Sequence, residues 1–264
     1  MWRNSLPKVF APSDRRVRLL AMLVIVQNDP QVPLGAYADM LREEGTGFSL
    51  FRPFAGEELP PAAEVSAAII LGGAMGVHDC GLHPFLVRVK RFISELVAGE
   101  IPLLGICLGG QLLADALGAE VIAGSPCGEK GTLPVSLTEE GACDPLFSGI
   151  PREFVTFQWH QDSFAIPGQG VLLASSIVCP NQAFRYEKCA YGIQFHPEVT
   201  REIVEEWALW RPETAQHLSC FLVDFDSHHS VYAAASRKLL KNFLRIASLH
   251  PGCLKNALIA PVSA

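Results

Sequence analysis

The sequence predicts an α/β fold: a doubly wound, mostly parallel sheet with helices on both faces. Three observations carry this reading. Nearly continuous apolar runs of strand length recur at Arg18–Gln27, Val65–Leu71 and Pro102–Ile106, the texture of strands buried on both faces. Stretches with apolar residues at helical spacing separate or follow them. The second and third runs lead straight into glycine-framed turns, the places where an open α/β sheet builds its site.

Taken in order, Arg18–Gln27 (RLLAMLVIVQ) becomes β-branched towards its end and reads as a central strand, stopped by Gln27-Asn28-Asp29-Pro30. Leu34–Glu44 sets Leu34, Tyr37, Ala38 and Leu41 at helical spacing, with Gly45 and Gly47 as the stop. Phe48–Phe51 is a second strand, and the proline-containing stretch to Pro61 is a connection. Val65–Leu71 is a third strand, followed by Gly72-Gly73-Ala74-Met75-Gly76. Pro84–Ala98 is a helix with Phe85, Val89, Phe92, Ile93 and Leu96 inward, closed by Gly99. Pro102–Ile106 is the next strand, and Leu108–Leu117 a helix with Leu112, Leu113, Ala116 and Leu117 on its apolar side.

Beyond Gly118 the pattern changes. Ala119–Ala123, Thr132–Leu137, Phe154–Trp159, Val171–Ser176, Gln182–Tyr186 and Tyr191–Phe195 are short strands separated by Gly, Pro, Asp and Asn. They suggest a mixed extension of the sheet with antiparallel members. Glu202–Trp210 begins a surface helix. Ser230–Leu249 is an amphipathic helix, with Leu239, Leu240, Phe243, Leu244 and Ile246 beside Arg237, Lys238, Lys241 and Arg245. The expected division is a basic arm at 1–17, a main domain at 18–211 and a helical extension of unassigned role at 212–264.

Composition narrows the function. With 264 residues and 49% hydrophobic content the chain suits one large domain with extensions. A formal charge of −6 with 18% charged residues argues against nucleic acid or an anionic membrane as partner. Eight cysteines without C-x-x-C spacing fit a reducing compartment, and a cytoplasmic location is expected. No apolar run reaches the roughly 18 residues of a spanning helix. The start carries Arg3, Lys8, Arg15, Arg16 and Arg18 with Pro7 and Pro12, and reads as a loose arm. An organelle presequence and a true start at Met22 are its alternatives. Deletion of residues 1–17, Trp2 and Phe10 included, is expected to change little.

One thiol stands apart. Cys107 lies at the predicted switch from strand to helix, with Gly105 and Gly109 two residues to either side. Small residues there permit the sharp turn that exposes a nucleophile at a helix N-terminus, where the dipole and free N–H groups favour thiolate. A buried structural cysteine is the alternative. A nucleophile needs a base and something to orient it. Tyr191-Gly-Ile-Gln-Phe-His-Pro-Glu198 offers both, because an extended path from His196 to Glu198 places the two side chains on one side. Gly72-Gly73, at another strand end, can bring a backbone N–H to a tetrahedral oxyanion, with the Leu108 N–H as second donor.

These residues bring the sequence to a known family. It resembles the class I, triad-type glutamine amidotransferases, most closely stand-alone proteins similar to the amidotransferase domain of GMP synthase. The matching text is LGGAMGVHD (71–79), PLLGICLGGQLLADALGA (102–119), DPLF (144–147), FQWHQDSFAIP (157–167), LLASS (172–176), CPNQAFR (179–185) and YGIQFHPEVT (191–200). The resemblance spans about residues 20–210 and implies a flavodoxin-like fold. It implies that Cys107 attacks the γ-carboxamide of glutamine, His196 shuttles protons and Glu198 orients His196. Gly73 and Leu108 match the oxyanion donors, with Gly72 beside them. Gln111 matches the residue that holds the amino-acid end of the substrate, and backbone near His160, Gln161 and Asp162 lines the same pocket. The implied products are a γ-glutamyl thioester and ammonia, then glutamate, with no cofactor and no metal.

Two departures bear on substrate. Much of the family has glycine after the Trp-His pair, where this chain has Gln161. Related γ-glutamyl peptidases have His-Gln-Asp there, which favours a hydrolase of γ-glutamyl peptides as the alternative. No P-loop or other ATP-binding signature appears, so ammonia would go to a separate synthetase, or hydrolysis is the whole activity. A non-catalytic regulatory protein on the same scaffold is the reading from another class. The oligomeric state is not specified by the sequence. Elsewhere, Gly72–Gly76 lacks the lysine and spacing of a nucleotide loop. Asp224, Asp226, His228 and His229 read as a polar loop rather than a metal site, and Trp159-His160 as a pocket wall rather than a second base.

Overall fold

The computed structural model describes residues 22–249. The predicted arm at 1–17, the first four residues of the first predicted strand and residues 250–264 lie outside that range. The elements in order are β1 (Met22–Val26), α1 (Ala36–Glu43), β2 (Phe48–Phe51), β3 (Val65–Ile70), α2 (Phe85–Ala98), β4 (Leu103–Ile106), α3 (Leu108–Ala116) and β5 (Val121–Ile122). They continue with β6 (Glu129–Leu137), α4 (Glu139–Cys143), β7 (Glu153–His160), β8 (Ser163–Phe164), β9 (Gly170–Ser175), β10 (Ala183–Tyr186) and β11 (Ala190–Ile193). Three helices follow, α5 (Arg201–Ala208), α6 (Pro212–Ala215) and α7 (Leu218–Leu249).

Nine strands form one sheet in the order β2-β1-β3-β4-β11-β10-β9-β6-β7. From β2 to β11 the pairing is parallel, and from β11 outward it is antiparallel. The doubly wound core and its mixed extension are therefore as the sequence predicts. The alternation of strand side chains explains the continuous apolar runs. Leu23, Ile25, Ala67, Ile69, Leu104 and Ile106 face the core beneath α1 and α7. Val24, Val26, Ala68, Ile70 and Leu103 face the core beneath α2 and α3. Among the described residues no helix is long and apolar enough to cross a membrane.

Several expectations change. The helix expected at 230–249 begins twelve residues earlier, and Asp224, Asp226, His228 and His229 stand on α7, not in a loop. Phe225 and Tyr232 are buried on that helix and extend the stripe that Leu239, Leu240 and Phe243 complete. Its other side is free to be polar: Asp226 pairs with Arg201, and Asp224 with His228 one turn on. Helix α3 is not amphipathic as drawn, since every residue from Leu108 to Ala114 is buried. Wedged between sheet and neighbours, it has no wet face in those turns. Gly99 keeps an ordinary φ, and Glu100 takes the left-handed conformation that reverses the chain after α2. The strand expected at 119–123 shrinks to the two residues of β5, which pair with β8, while α4 and β8 carry no periodic signal of their own.

Close packing of α3 sets a sharp requirement. A Cβ on Gly109 would lie 2.0 Å from the Ile70 carbonyl oxygen, and one on Gly105 2.4 Å from the Gly109 oxygen. Both obstacles are backbone, so neither can rotate away. Gly109→Ala is expected to cost at least about 2 kcal/mol by overpacking, several degrees in Tm. Gly47→Ala, with nothing within 4 Å of its Cβ, should change Tm by under about a degree. Equal Tm values for the two variants would show that α3 can move off the sheet.

Candidate active site

Three parallel strands end side by side, with Ile70 paired to Gly105 and Ile106 to Ile193. The residues past those ends are Gly72 after β3, Cys107 after β4 and His196 after β11. The Cys107 N–H donates to the Ile193 oxygen at 2.8 Å, carrying the ladder one rung beyond the strands. The chain then turns sharply: Cys107 has φ 51° and ψ −110° and is the N-cap of α3. That is left-handed backbone for a non-glycine residue, a strained conformation held by the packing around it. The Leu108 N–H, first in the helix, has no intrahelical acceptor and points from its N-terminus.

His196 does not sit on a strand. Its N–H donates to the Phe157 oxygen at 2.8 Å, and the chain then bends through Pro197. Glu198 thus meets His196 across a turn rather than along the expected extended path; Pro197 cannot continue a paired strand. The predicted pair forms all the same, with Nδ1 of His196 2.7 Å from Oε1 of Glu198. That contact leaves Nε2 as the ring nitrogen available to Cys107. A Cβ placed on Gly72 would lie 3.0 Å from Cε1 of His196 and 3.5 Å from Cβ of Cys107, so the three strand ends converge on one point. His196 and Glu198 are both shut away from solvent, and the Trp207 ring stands edge-on to the imidazole at 4.8 Å. Burial alone would make the imidazole less basic. The Glu198 carboxylate and Cys107 outweigh it and raise the His196 pKa to about 10.

A pocket of about 150 Å³ opens above the thiol. Gly73, Gln111, His160, Gln161 and Asp162 line it together with Cys107 and His196, whereas the predicted Gly72, Leu108 and Glu198 do not. Gln111 donates from Nε2 to the Gln194 side chain (3.3 Å) and the Asp162 carbonyl (3.4 Å). His160 is a wall, as expected, with Nδ1 3.0 Å from the Asp162 carbonyl. Gln161 is exposed at the pocket edge, its amide nitrogen folded against Gly128.

Sequence reading missed four contributors to the site. Gln194 brings Nε2 to 3.6 Å from the Cys107 sulfur. Trp207, Trp210 and Arg211 complete the pocket, and only their nearness to the His-Pro-Glu segment in sequence could have pointed to them. It also missed a second set of the same residue types. Glu129, His160 and Cys179 have side-chain atoms within 4.8 Å of one another. Burial pushes the Cys179 thiol up to about 11, and Glu129 accepts from Ser176 at 2.9 Å and from Gln182. Neither Cys179 nor Glu129 lines the pocket. This set is a buried polar network behind the wall, not a nucleophile with access to substrate.

Residues 36–205 match the sequence model of the glutamine amidotransferase class-I family. The chain is 35% identical over 176 residues to a glutamine amidotransferase-like protein of Salmonella typhimurium, covering 65% of this chain and 73% of that protein. It is 33% identical over 146 residues to a glutamine-hydrolyzing GMP synthase subunit from Methanococcus maripaludis, covering 54% of this chain and 70% of that one. The crystal structure of a glutamine amidotransferase from Thermotoga maritima superposes with a TM-score of 0.77 at 31% identity, over 86% of this chain and 98% of that one.

The raised basicity of His196 gives a pH test. NMR of the imidazole should show it protonated through pH 8 and losing its proton near 10, as the value for the folded protein requires. Because this pKa lies above the unfolded value, the pair's contribution to stability is complete below about pH 6.5 and is lost as pH rises through the folded value. Glu198→Gln removes the main raising charge, so His196 should titrate at lower pH and stability should change less between pH 7 and 10. A wild-type midpoint near 6.5 would contradict the coupling.

Proposed function

The chain belongs to the class I glutamine amidotransferase family, and from that premise we propose how its own residues perform the reaction. It hydrolyses the γ-amide of glutamine through a cysteinyl thioester to give glutamate and ammonia. The observation that carries the assignment of roles is that Cys107 and His196 converge at Gly72 and line one pocket, with Glu198 behind His196 at 2.7 Å.

Cys107 Sγ attacks the γ-carbonyl carbon. Negative charge gathers on the carbonyl oxygen and is met by the N–H groups of Gly73 and Leu108. His196 Nε2 holds the thiol proton and delivers it to the departing nitrogen as the C–N bond breaks, releasing ammonia. Water then attacks the thioester, His196 takes its proton, and the C–S bond breaks to free glutamate and regenerate the thiol. Glu198 keeps Nδ1 protonated and stabilises the imidazolium. Gln111 and the backbone at His160–Asp162, next to Gly72 and Gly73, hold the amino-acid end. Ammonia passes to a separate synthetase partner, an inference supported by the similarity to the GMP synthase subunit from Methanococcus maripaludis. All seven cysteines among the described residues are free, which suits a reducing cytoplasm.

One observation favours the second reading, hydrolysis of γ-glutamyl peptides. Trp159, Trp207, Trp210 and Arg211 also line the pocket, a wall that ammonia as leaving group does not need. The two readings separate in kcat/KM for glutamine and for γ-glutamyl dipeptides. Faster release of ammonia from glutamine supports the amidotransferase; faster release of the amino acid supports the peptidase.

Two variants test the site. Cys107→Ser should fold and lose at least about 10³-fold in turnover, since the members of a nucleophile–base unit fail together; a folded variant with a tenth of wild-type rate would end the assignment. If the Gln161 side chain turns into the pocket and bonds the leaving group, Gln161→Gly removes a hydrogen bond worth roughly 0.5–1.5 kcal/mol, about 2- to 12-fold. On the peptidase reading that loss falls on dipeptides, with glutamine affected less, whereas the amidotransferase reading expects both substrates within twofold of wild type.

A further inference from the structure

The catalytic turn is irregular backbone buried in the molecule, so each of its carbonyl groups needs a donor that no strand or helix of its own supplies. Ala36 provides one, its N–H donating to the Glu198 oxygen at 2.8 Å. The others come from α7. The Tyr232 hydroxyl lies 3.1 Å from the His196 carbonyl oxygen and 2.9 Å from that of Val199. One turn on, the Ser236 hydroxyl donates to the Pro197 carbonyl. Both side chains are buried, and burial with the nearby Glu198 charge keeps the Tyr232 hydroxyl protonated. Helix α7 lies wholly beyond the residues matched by the family model.

We infer that α7 braces the active site: Tyr232 and Ser236 are positioning residues that fix the His196-Pro197-Glu198 turn, and with it the angle at which the imidazole meets the thiol. Ser236 donates to the Pro197 carbonyl, and Tyr232 shares its one proton between the carbonyls of His196 and Val199, on both sides of the carboxylate that orients the base. Releasing them lets the turn shift by fractions of an ångström, and misplacement on that scale slows catalysis without altering the pocket that binds substrate. The same helix supplies a control. Asn242 donates from Nδ2 to the Leu146 and Ser148 carbonyls, both at 2.9 Å, a tether of the same kind remote from the catalytic turn.

The inference rests on the proposed roles of Cys107 and His196, and the experiment separates the two. Wild type, Tyr232→Phe, Ser236→Ala, the double variant and Asn242→Ala are compared for Tm, glutamine kcat and KM, and the His196 titration by NMR. Tyr232→Phe keeps the ring that packs against Phe225 at 5.1 Å. The double variant is expected to lose about 10- to 100-fold in kcat with KM within twofold, and to shift the His196 midpoint. Asn242→Ala should lower Tm by as much while leaving kcat and the titration as in wild type. If Asn242→Ala slows turnover equally, or the double variant keeps wild-type kcat and titration, the brace is overturned and the roles of Cys107 and His196 stand. If wild type itself turns over no glutamine, those roles fail, and the titration of His196 still decides whether α7 positions it. Should the double variant fail to fold, Tyr232→Phe alone carries the test.

Discussion

The structure depends on the sharp turn at Cys107. For the thiol to sit on top of the sheet at a helix N-terminus, the chain must leave β4 and enter α3 with no loop between. That forces left-handed backbone at a residue with a side chain, a cost of order 1–3 kcal/mol. It also brings α3 so close that Gly105, Gly109 and Gly110 all touch backbone where a Cβ would go. What offsets the strain is the burial beneath it: Leu108, Leu112, Leu113 and Ala114 pack against α2 and the sheet. At about 1.5–3 kcal/mol for each large apolar side chain, two of them already exceed the cost of the turn.

The base follows from a second constraint. A histidine and a glutamate buried together are expensive, and a buried ion pair gives little net stability. Their arrangement is explained by chemistry rather than by folding energy. Dry surroundings strengthen the 2.7 Å contact, and the Glu198 carboxylate keeps the imidazole basic despite its burial. The fold meets the expense by tying the surrounding backbone at many points. Phe157 and Ala36 hold it from the sheet side and α1, and Tyr232 and Ser236 from α7. Trp207 covers the ring while its own Nε1 donates to the Gln31 carbonyl at 2.8 Å.

Much of this was legible in the sequence because its signals are local. Runs such as VSAAII and LLGI, buried on both faces, leave no amphipathic ambiguity, and the glycines about Cys107 announce the turn. The His196–Glu198 contact was legible too, though its path was not: proline between the two residues makes a turn, and an alternation argument assumes a strand. Helix α7 was half hidden. Between Phe225 and Tyr232 its solvent side is dense with Asp, Ser and His, and only docking on the sheet shows which side matters. Tyr232, Ser236, Trp207 and Gln194 were not legible as site residues, because each acts through a contact made in the folded protein by a residue type common in cores.

The two Cys–His–Glu sets show why residue type alone does not define chemistry. Cys107 is at a helix N-terminus and lines the pocket together with an imidazole whose Nδ1 is held by a carboxylate. Cys179 has a histidine and a glutamate as near, yet its sulfur is directed to the Asn181 carbonyl at 3.7 Å, and burial holds it as a neutral thiol. His160 spends Nδ1 on the Asp162 carbonyl, and Glu129 is engaged by Ser176 and Gln182. In that network His160 Nε2, buried and 3.6 Å from Glu129 Oε2, faces the carboxylate rather than the pocket. One set is spent on structure. The other keeps its thiol and imidazole at the pocket, which is why the reaction is proposed there.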